Sequence, residues 1–230
     1  MNAANTLKKL GIEKTFEYIY KDPDKNMPKI MDWADKFADG EFPTQIEMIR
    51  EAITNPEHPY YDFIRHLIND VDPKVTKTLA VNFFINSALV GWKKEEELRK
   101  KYNCNIPWAI LLDPTSACNL HCTGCWAAEY GHKLNLTYDE IDDIICQGKK
   151  LGVYLYIYTG GEPLVRKKDL IRLCEKHSDC VFLCFTNATL IDEEFADEML
   201  RVGNFVPAIS LEGFEEATDG RRGEGVYQKV

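Results

Sequence analysis

The chain has 230 residues, of which 45% are hydrophobic and 28% charged, enough to bury a real core in one or two domains and ordinary for a soluble globular protein. A formal net charge of −9 argues against a broad nucleic-acid footprint, which needs a basic face, and no lysine and arginine run marks a local exception. The amino terminus lacks the apolar core and small-residue cleavage site of a signal peptide. The longest uncharged run, Thr78 to Trp92, is shorter than the roughly 20 apolar residues that span a bilayer. The expectation is a cytoplasmic protein with neither nucleic-acid nor membrane partners, in a reducing compartment that keeps thiols available to metal.

Residues 1 to 103 read as an all-α region. Leu7, Leu10, Phe16, Ile19 and Tyr20 suggest one helix, and Ile30, Met31, Ala34 and Phe37 a second that ends near Gly40. Thr44 and Glu47 have capping-box spacing, with Ile46, Ile49 and Ile53 following at helical intervals. Tyr61, Ile64, Leu67 and Ile68 give a fourth helix. Asp72 and Pro73 open a fifth that is expected to reach Gly91 and to continue through the charged stretch Lys93 to Lys101. This half carries no catalytic constellation: His58 and His66 have no cysteine near them in sequence. Substrate recognition or partner binding is the functional alternative to a purely structural role.

From Cys104 the pattern changes to alternating strand and helix. Ile106 to Leu112, Val153 to Tyr158, Cys180 to Thr186 and Phe205 to Leu211 read as strands. Between them lie a helix capped by Thr137 and Glu140 that stops at Gly152, a helix near Arg166 to His177, and a helix capped by Asp192 that ends at Gly203. Four βα units in series predict a parallel sheet and the α/β class. Such folds bind ligands at the carboxyl ends of their strands, and each strand end here carries chemistry. Cysteines follow the first, Gly160-Gly161-Glu162-Pro163 the second, Thr186-Asn187 the third, and Ser210-Leu211-Glu212-Gly213 closes the fourth. Two glycines allow close backbone approach to a ligand, and Glu162 is able to accept hydrogen bonds from an ammonium group. Asn187, Ser210 and Glu212 offer short polar groups; each of these stretches also fits ordinary turn chemistry.

The most informative stretch runs from Asp113 to Trp126, where Cys118, Cys122 and Cys125 follow C-x3-C-x2-C spacing. Thiolate is a soft, strongly donating ligand for iron and zinc. An odd number of cramped cysteines disfavours disulfides, and zinc would need a fourth ligand, for which His121 and His132 are the neighbours in sequence. Three protein ligands instead suit a cubane with one iron left open. The remaining cysteines, Cys104, Cys146, Cys174, Cys180 and Cys184, have no ligand spacing and read as core thiols.

At these residues the sequence resembles the radical S-adenosylmethionine (SAM) enzymes, whose hallmark is the same cysteine loop after the first barrel strand. The resemblance covers Cys104 to Val230 and lies closest to the SPASM or twitch-like, peptide-maturation branch, whose cysteine-rich extension lies outside these 230 residues. One departure is that the position before the third cysteine, often aromatic in the family, is Gly124, with Trp126 just after it. The resemblance implies a partial (β/α)6 TIM-like barrel at 104–230, preceded by the helical region at 1–103. It implies a [4Fe-4S] cluster on Cys118, Cys122 and Cys125, with SAM held by Gly160, Gly161, Glu162 and Pro163 and by Asn187, Ser210 and Glu212. Arg222 would meet the methionine carboxylate, with Arg221 as its understudy. The implied reaction is reductive cleavage of SAM to a 5′-deoxyadenosyl radical that abstracts hydrogen from a substrate, a peptide among the candidates. An electron donor of flavodoxin or ferredoxin type would serve it, and no side chain need act as acid or base. With four strands where the family barrel has six, and Val226 read as the start of the fourth helix, the core is expected to be incomplete at its carboxyl end. A non-enzymatic iron-sulfur or zinc protein is the alternative.

Overall fold

A computed structural model describes residue 11 and residues 14–38, 43–127, 131 and 133–230. It divides into two compact units, Met1–Val81 and Asn82–Val230. Leu7, Leu10, Gly40 and His132 lie outside the described residues.

Within the first unit, α1 (Pro23–Ala38), α2 (Pro43–Thr54), α3 (Tyr61–Asn69) and α4 (Pro73–Ala80) follow a helical stretch at 14–21. Ile19, Met27, Met31 and Ala52 are buried. The start of α4 matches its sequence signal: Asp72 accepts from Lys74 N at 2.7 Å, with Pro73 at the first helical position. α2 instead begins at Pro43, so Thr44 falls inside its first turn. Proline suits that place because the missing N–H would have had no helical partner there.

The second unit reaches further back than the expected boundary at residue 103. It opens at Asn82, one residue into a π-helix (Val81–Gly91), and continues with α5 (Trp92–Tyr102). Asn82 donates to the carbonyls of Ser178 and Cys180, and Asn86 to that of Asp179, each at 2.9 Å. These bonds join the segment after residue 81 to the loop that enters the third strand, which explains where the units divide.

The sheet consists of β1 (Ala109–Leu112), β2 (Leu155–Tyr158), β3 (Val181–Thr186) and β4 (Phe205–Ile209), parallel and in the order β1-β2-β3-β4. Between strands lie α6 (Tyr138–Leu151), a short 3-10 turn (Pro163–Arg166) running into α7 (Lys167–Lys176), and α8 (Glu193–Val202). The expected α/β class is thus present, with four strands of a (β/α)6-type layout. β1 starts later than Ile106, whose carbonyl accepts from Arg99 at 3.2 Å instead of joining the ladder. The Thr137 and Glu140 box closes reciprocally at the head of α6, and Asp192 accepts from Phe195 N at 2.9 Å at the head of α8. Ile141, Ile145, Leu170 and Leu173 lose all but about a trace of solvent contact. They pack with Tyr156, Tyr158 and Phe182 on the helix-covered face, the Tyr158 and Phe182 rings 5.6 Å apart and nearly parallel.

After β4 the chain forms α9 (Glu215–Arg222) and α10 (Val226–Lys229). Of the glycine-rich segment Gly220 to Gly225, the residues up to Arg222 supply the last turn of α9, and the helix after β4 starts well before Val226. Glu215 and Glu216 in its first turn and Arg221 and Arg222 in its last complement the helix dipole. Among the described residues, β4 is paired on one side. Asn204 O accepts from Phe182 N and Ser210 N donates to Thr186 O, so even-numbered residues aim their backbone groups at β3 and Pro207 aims outward.

Candidate functional site

All four strand ends meet the cysteine loop or its neighbours. The loop leaves β1 at Asp113 and returns at Thr137, and its neck is closed by backbone bonds from Ser116 N to Leu134 O (2.8 Å) and from Leu136 N to Pro114 O (3.1 Å). Arg166 clamps the same neck. It donates to Pro114 O at 3.0 Å and to Leu136 O, while Asp169 holds its other side at 2.7 Å. A guanidinium suits this because five donors in one plane can serve two carbonyls and a carboxylate together. Sequence reasoning missed Arg166; its closeness to the Gly-Gly-Glu-Pro stretch was the available signal.

The β1–β2 pairing runs on past both strands. Thr159 N donates to Leu112 O (3.1 Å), Gly161 N to Thr115 O (3.0 Å) and Glu162 N to Ala117 O (2.8 Å), which docks Gly160–Glu162 along the residues leading to Cys118. A Cβ on Gly160 would stand 2.7 Å from Thr115 O, and one on Gly161 would stand 2.2 Å from Ala117 O. Gly160 also has φ +108°, a conformation open chiefly to glycine. The close approach that these glycines permit is to the cysteine loop itself.

Glu162 and Pro163 are both buried, and the Glu162 carboxylate accepts from Leu164 N (3.0 Å), Thr186 Oγ1 (2.7 Å) and Asn187 N (2.8 Å). It ties the end of β2 to that of β3, and three donors leave at most about one acceptor direction for anything else. Asn187 carries the tie to the cysteine loop. Its Nδ2 donates to Asn119 Oδ1 (3.0 Å), Asn119 Nδ2 donates to Thr189 Oγ1 (2.8 Å), and Thr189 donates back to Asn187 Oδ1 (2.7 Å). Asn119, next to Cys118, was not singled out in the sequence, where nothing local distinguishes it.

Beyond β4, Ser210 is half-buried, and among the described residues its hydroxyl makes no hydrogen bond. Glu212 and Arg222, each expected to meet SAM, pair with each other: Glu212 accepts from Arg222 Nη2 at 2.6 Å and from Arg221. The Arg222 guanidinium first, and Arg221 with it, holds the Glu212 carboxyl below the usual range. Arg221 also exchanges bonds with Thr123, whose N–H donates to Arg221 O at 2.8 Å, so the end of α9 rests on the cysteine loop.

Cys118, Cys122 and Cys125 are half-buried and free of disulfides. Burial pushes the Cys118 thiol up. A hydrogen bond from Leu120 N opposes this, and the negative charges of Glu162, Cys122 and Cys125 add to it. Three thiolates so placed repel one another unless a cationic centre sits among them, so the donor set fits an iron-sulfur cluster and binding would expel the thiol protons. Gly124, where the family often has an aromatic residue, has φ +69°, and Trp126 is exposed. Cys174, Cys180 and Cys184 are core thiols as expected, whereas Cys104 is exposed and Cys146 half-buried. Among the described residues, no helix is long and apolar enough to cross a membrane.

The chain shares 33% identity over 120 residues with the PqqA peptide cyclase of Bradyrhizobium diazoefficiens, half of this chain and 31% of that one. The Fe-coproporphyrin III synthase of Methanosarcina barkeri matches at 33% over 120 residues, 50% of this chain and 29% of that one. An uncharacterised Archaeoglobus fulgidus protein matches at 33% over 141 residues, 59% of this chain and 33% of that one. The chain thus spans about a third of the length of these curated relatives. Streptococcus suis SuiB bound to S-adenosylmethionine superposes with a TM-score of 0.50 at 22% identity, over 84% of this chain and 41% of that one, which shows a shared fold. The profile of the radical SAM superfamily, whose members use a [4Fe-4S] cluster and SAM in a partial TIM barrel, matches residues 112–230. With more than half its length in that match, and with the three-thiol loop docked on the Gly-Gly-Glu-Pro strand end, the chain belongs to the radical SAM superfamily.

Proposed function

We propose that this chain carries the cluster- and SAM-binding centre of a radical SAM enzyme that modifies a peptide in the cytoplasm. The observation that carries it is the ladder from Gly161 and Glu162 onto Thr115 and Ala117, which makes the cysteine loop and the SAM-binding stretch one rigid piece. Cys118, Cys122 and Cys125 would hold the [4Fe-4S] cluster, with no fourth protein ligand required. So held, the cluster would supply the electron for reductive cleavage of SAM, the chemistry by which hydrogen would be abstracted from the substrate.

Gly160 to Pro163 present their backbone to the amino end of SAM, and Glu162 acts by fixing that backbone to Thr186 and Asn187. Ser210 offers a hydroxyl and Asn187 an amide edge at the same mouth. Arg222, with Arg221 behind it, already grips the carboxylate of Glu212, so its geometry suits the carboxylate of SAM, which would compete with Glu212 for it. The helical region before residue 82 contributes none of these groups. The peptide reading rests on the PqqA peptide cyclase relative; the equal match to Fe-coproporphyrin III synthase makes a tetrapyrrole the second reading. The electron comes from a flavodoxin- or ferredoxin-type donor.

The test is anaerobic reconstitution with iron and sulfide, addition of SAM and a reductant, and measurement of 5′-deoxyadenosine. Formation of 5′-deoxyadenosine and methionine in equal amounts is expected. A chain that carries its cluster yet neither binds nor cleaves SAM overturns the proposal.

A further inference from the structure

Away from the strand ends, α6 and α7 bring together three side chains for which the proposed reaction has no use. Asp142 and Cys146 are separated by one helical turn on α6 and share a face, and His177 directly follows the last residue of α7. A carboxylate oxygen of Asp142, the Cys146 sulfur and a ring nitrogen of His177 lie within 4.8 Å of one another. His177 Nε2 and Asp142 Oδ1 are 2.8 Å apart. His177 is 3% exposed, and the other two are half-buried.

We propose that Asp142, Cys146 and His177 form a zinc site that clips α6 to α7. Carboxylate, thiolate and imidazole all bind zinc at about 2.0–2.3 Å, which sets tetrahedral ligand atoms about 3.3–3.8 Å apart; the present cluster needs only small side-chain shifts to meet that. The two anionic donors balance the charge of the ion, and a water fills the fourth position. Binding releases the Cys146 proton to solvent and leaves the neutral imidazole protonated on its other nitrogen.

The surroundings are prepared for it. His177 is fixed through its backbone, since its N–H donates to Leu173 O (2.9 Å) and its carbonyl accepts from Cys180 N (3.0 Å) and Asn204 Nδ2 (3.2 Å). Lys176 Nζ holds the second oxygen of Asp142 at 2.8 Å, the kind of outer partner that orients a metal-bound carboxylate. Among the described residues the Cys146 thiol makes no hydrogen bond, so its coordination breaks none; the bond given up is the one between His177 Nε2 and Asp142 Oδ1, which two zinc bonds replace. Iron is placed on Cys118, Cys122 and Cys125 instead, because three thiolates suit a cluster while one sulfur, one nitrogen and one oxygen suit zinc.

The experiment loads the full chain with its cluster anaerobically, adds zinc, and counts both metals by mass spectrometry after gel filtration. One zinc per chain beyond the cluster iron is expected. Cys146→Ser and Asp142→Asn should each weaken zinc binding by more than about 10-fold, and Lys176→Met by about 10-fold, with iron content unchanged. Cobalt(II) in place of zinc should show thiolate-to-metal charge-transfer absorption that Cys146→Ser abolishes. Because Cys146 is half-buried and serine is nearly isosteric, that variant decides the matter. Three results would overturn the site: no zinc in the cluster-loaded chain, zinc binding untouched by Cys146→Ser, or zinc uptake that disappears in a Cys118→Ala, Cys122→Ala, Cys125→Ala chain. None of them bears on SAM cleavage, so this proposal and the proposed function fail separately.

Discussion

The two ends of the sheet in the Asn82–Val230 unit use the same device to different effect. At the amino end, side-chain amides terminate on carbonyls: Asn204 Nδ2 serves Cys174, His177 and Cys180 at 3.0–3.2 Å, and Asn82 and Asn86 serve Ser178, Asp179 and Cys180. Loop and donor satisfy each other there. At the carboxyl end, Glu162, Asn187, Asn119 and Arg166 also pin loops. Those loops, however, carry three thiols outside any disulfide and the Ser210 hydroxyl. The lesson is that hydrogen bonding alone does not mark a site. What marks it is rigid backbone surrounding ligand-type groups such as the three thiols outside any disulfide, the division of labour expected between the two faces of a parallel barrel.

The comparison breaks most sharply at Cys118. Cys118→Ala should abolish cluster iron and sulfide after reconstitution while changing the unfolding free energy of the cluster-free chain by less than about 1 kcal/mol; a retained cluster would erase the contrast between the ends. Asn204→Ala is the opposite probe. It removes a buried donor shared by three carbonyls, of which His177 O keeps Cys180 N and Cys180 O keeps Asn82 Nδ2. The cost should be about 1–3 kcal/mol in urea unfolding, with SAM affinity of the folded protein unchanged. Gly161→Ala should combine both signatures, because its Cβ would meet Ala117 O at 2.2 Å. About 1–3 kcal/mol of stability and cluster retention should fall together, and loss of either alone would separate the ladder from the loop.

The smallest effect concerns Glu212. Arg222 and Arg221 lower its folded-state pKa, so its pairing contributes stability that is present above the ordinary glutamate value of about 4.3 and is lost as pH falls through the lowered value. A carboxyl carbon titration by NMR should place Glu212 below ordinary glutamates, and Arg222→Gln should move it back up; a midpoint at or above the ordinary value would mean that the pair does not persist in solution.

Much of this was legible in the sequence because it is local. The Cys118, Cys122 and Cys125 spacing, the Thr137 and Glu140 box and the Asp192 cap each lie within a few residues, and the strand ends followed from alternation alone. What stayed hidden joins distant positions: Arg166 reaching Pro114 and Leu136, Asn187 reaching Asn119, and His177 reaching Asp142. Cys146 reads as a core thiol until α7 is known to lie beside it. The boundary near residue 82 was hidden likewise, since Asn82 and Asn86 look like interruptions of an apolar run until their carbonyl partners appear. α9 was missed for a different reason: Gly220 has weak helix propensity, but charges at both ends of the helix outweigh it.

Pro207, facing outward from β4, limits what can be added to the sheet. A fifth strand arriving there, from the same polypeptide or from another copy, meets a row of donors with a gap in its middle. It must bridge the gap with water or bulge around it, so only a strand shaped for that irregularity gains full pairing. A regular strand from an unrelated molecule forfeits a bond at the centre of the contact. The open edge thus acts as a template with a mismatch written into it, which discourages indiscriminate sheet growth while leaving room for one matched neighbour.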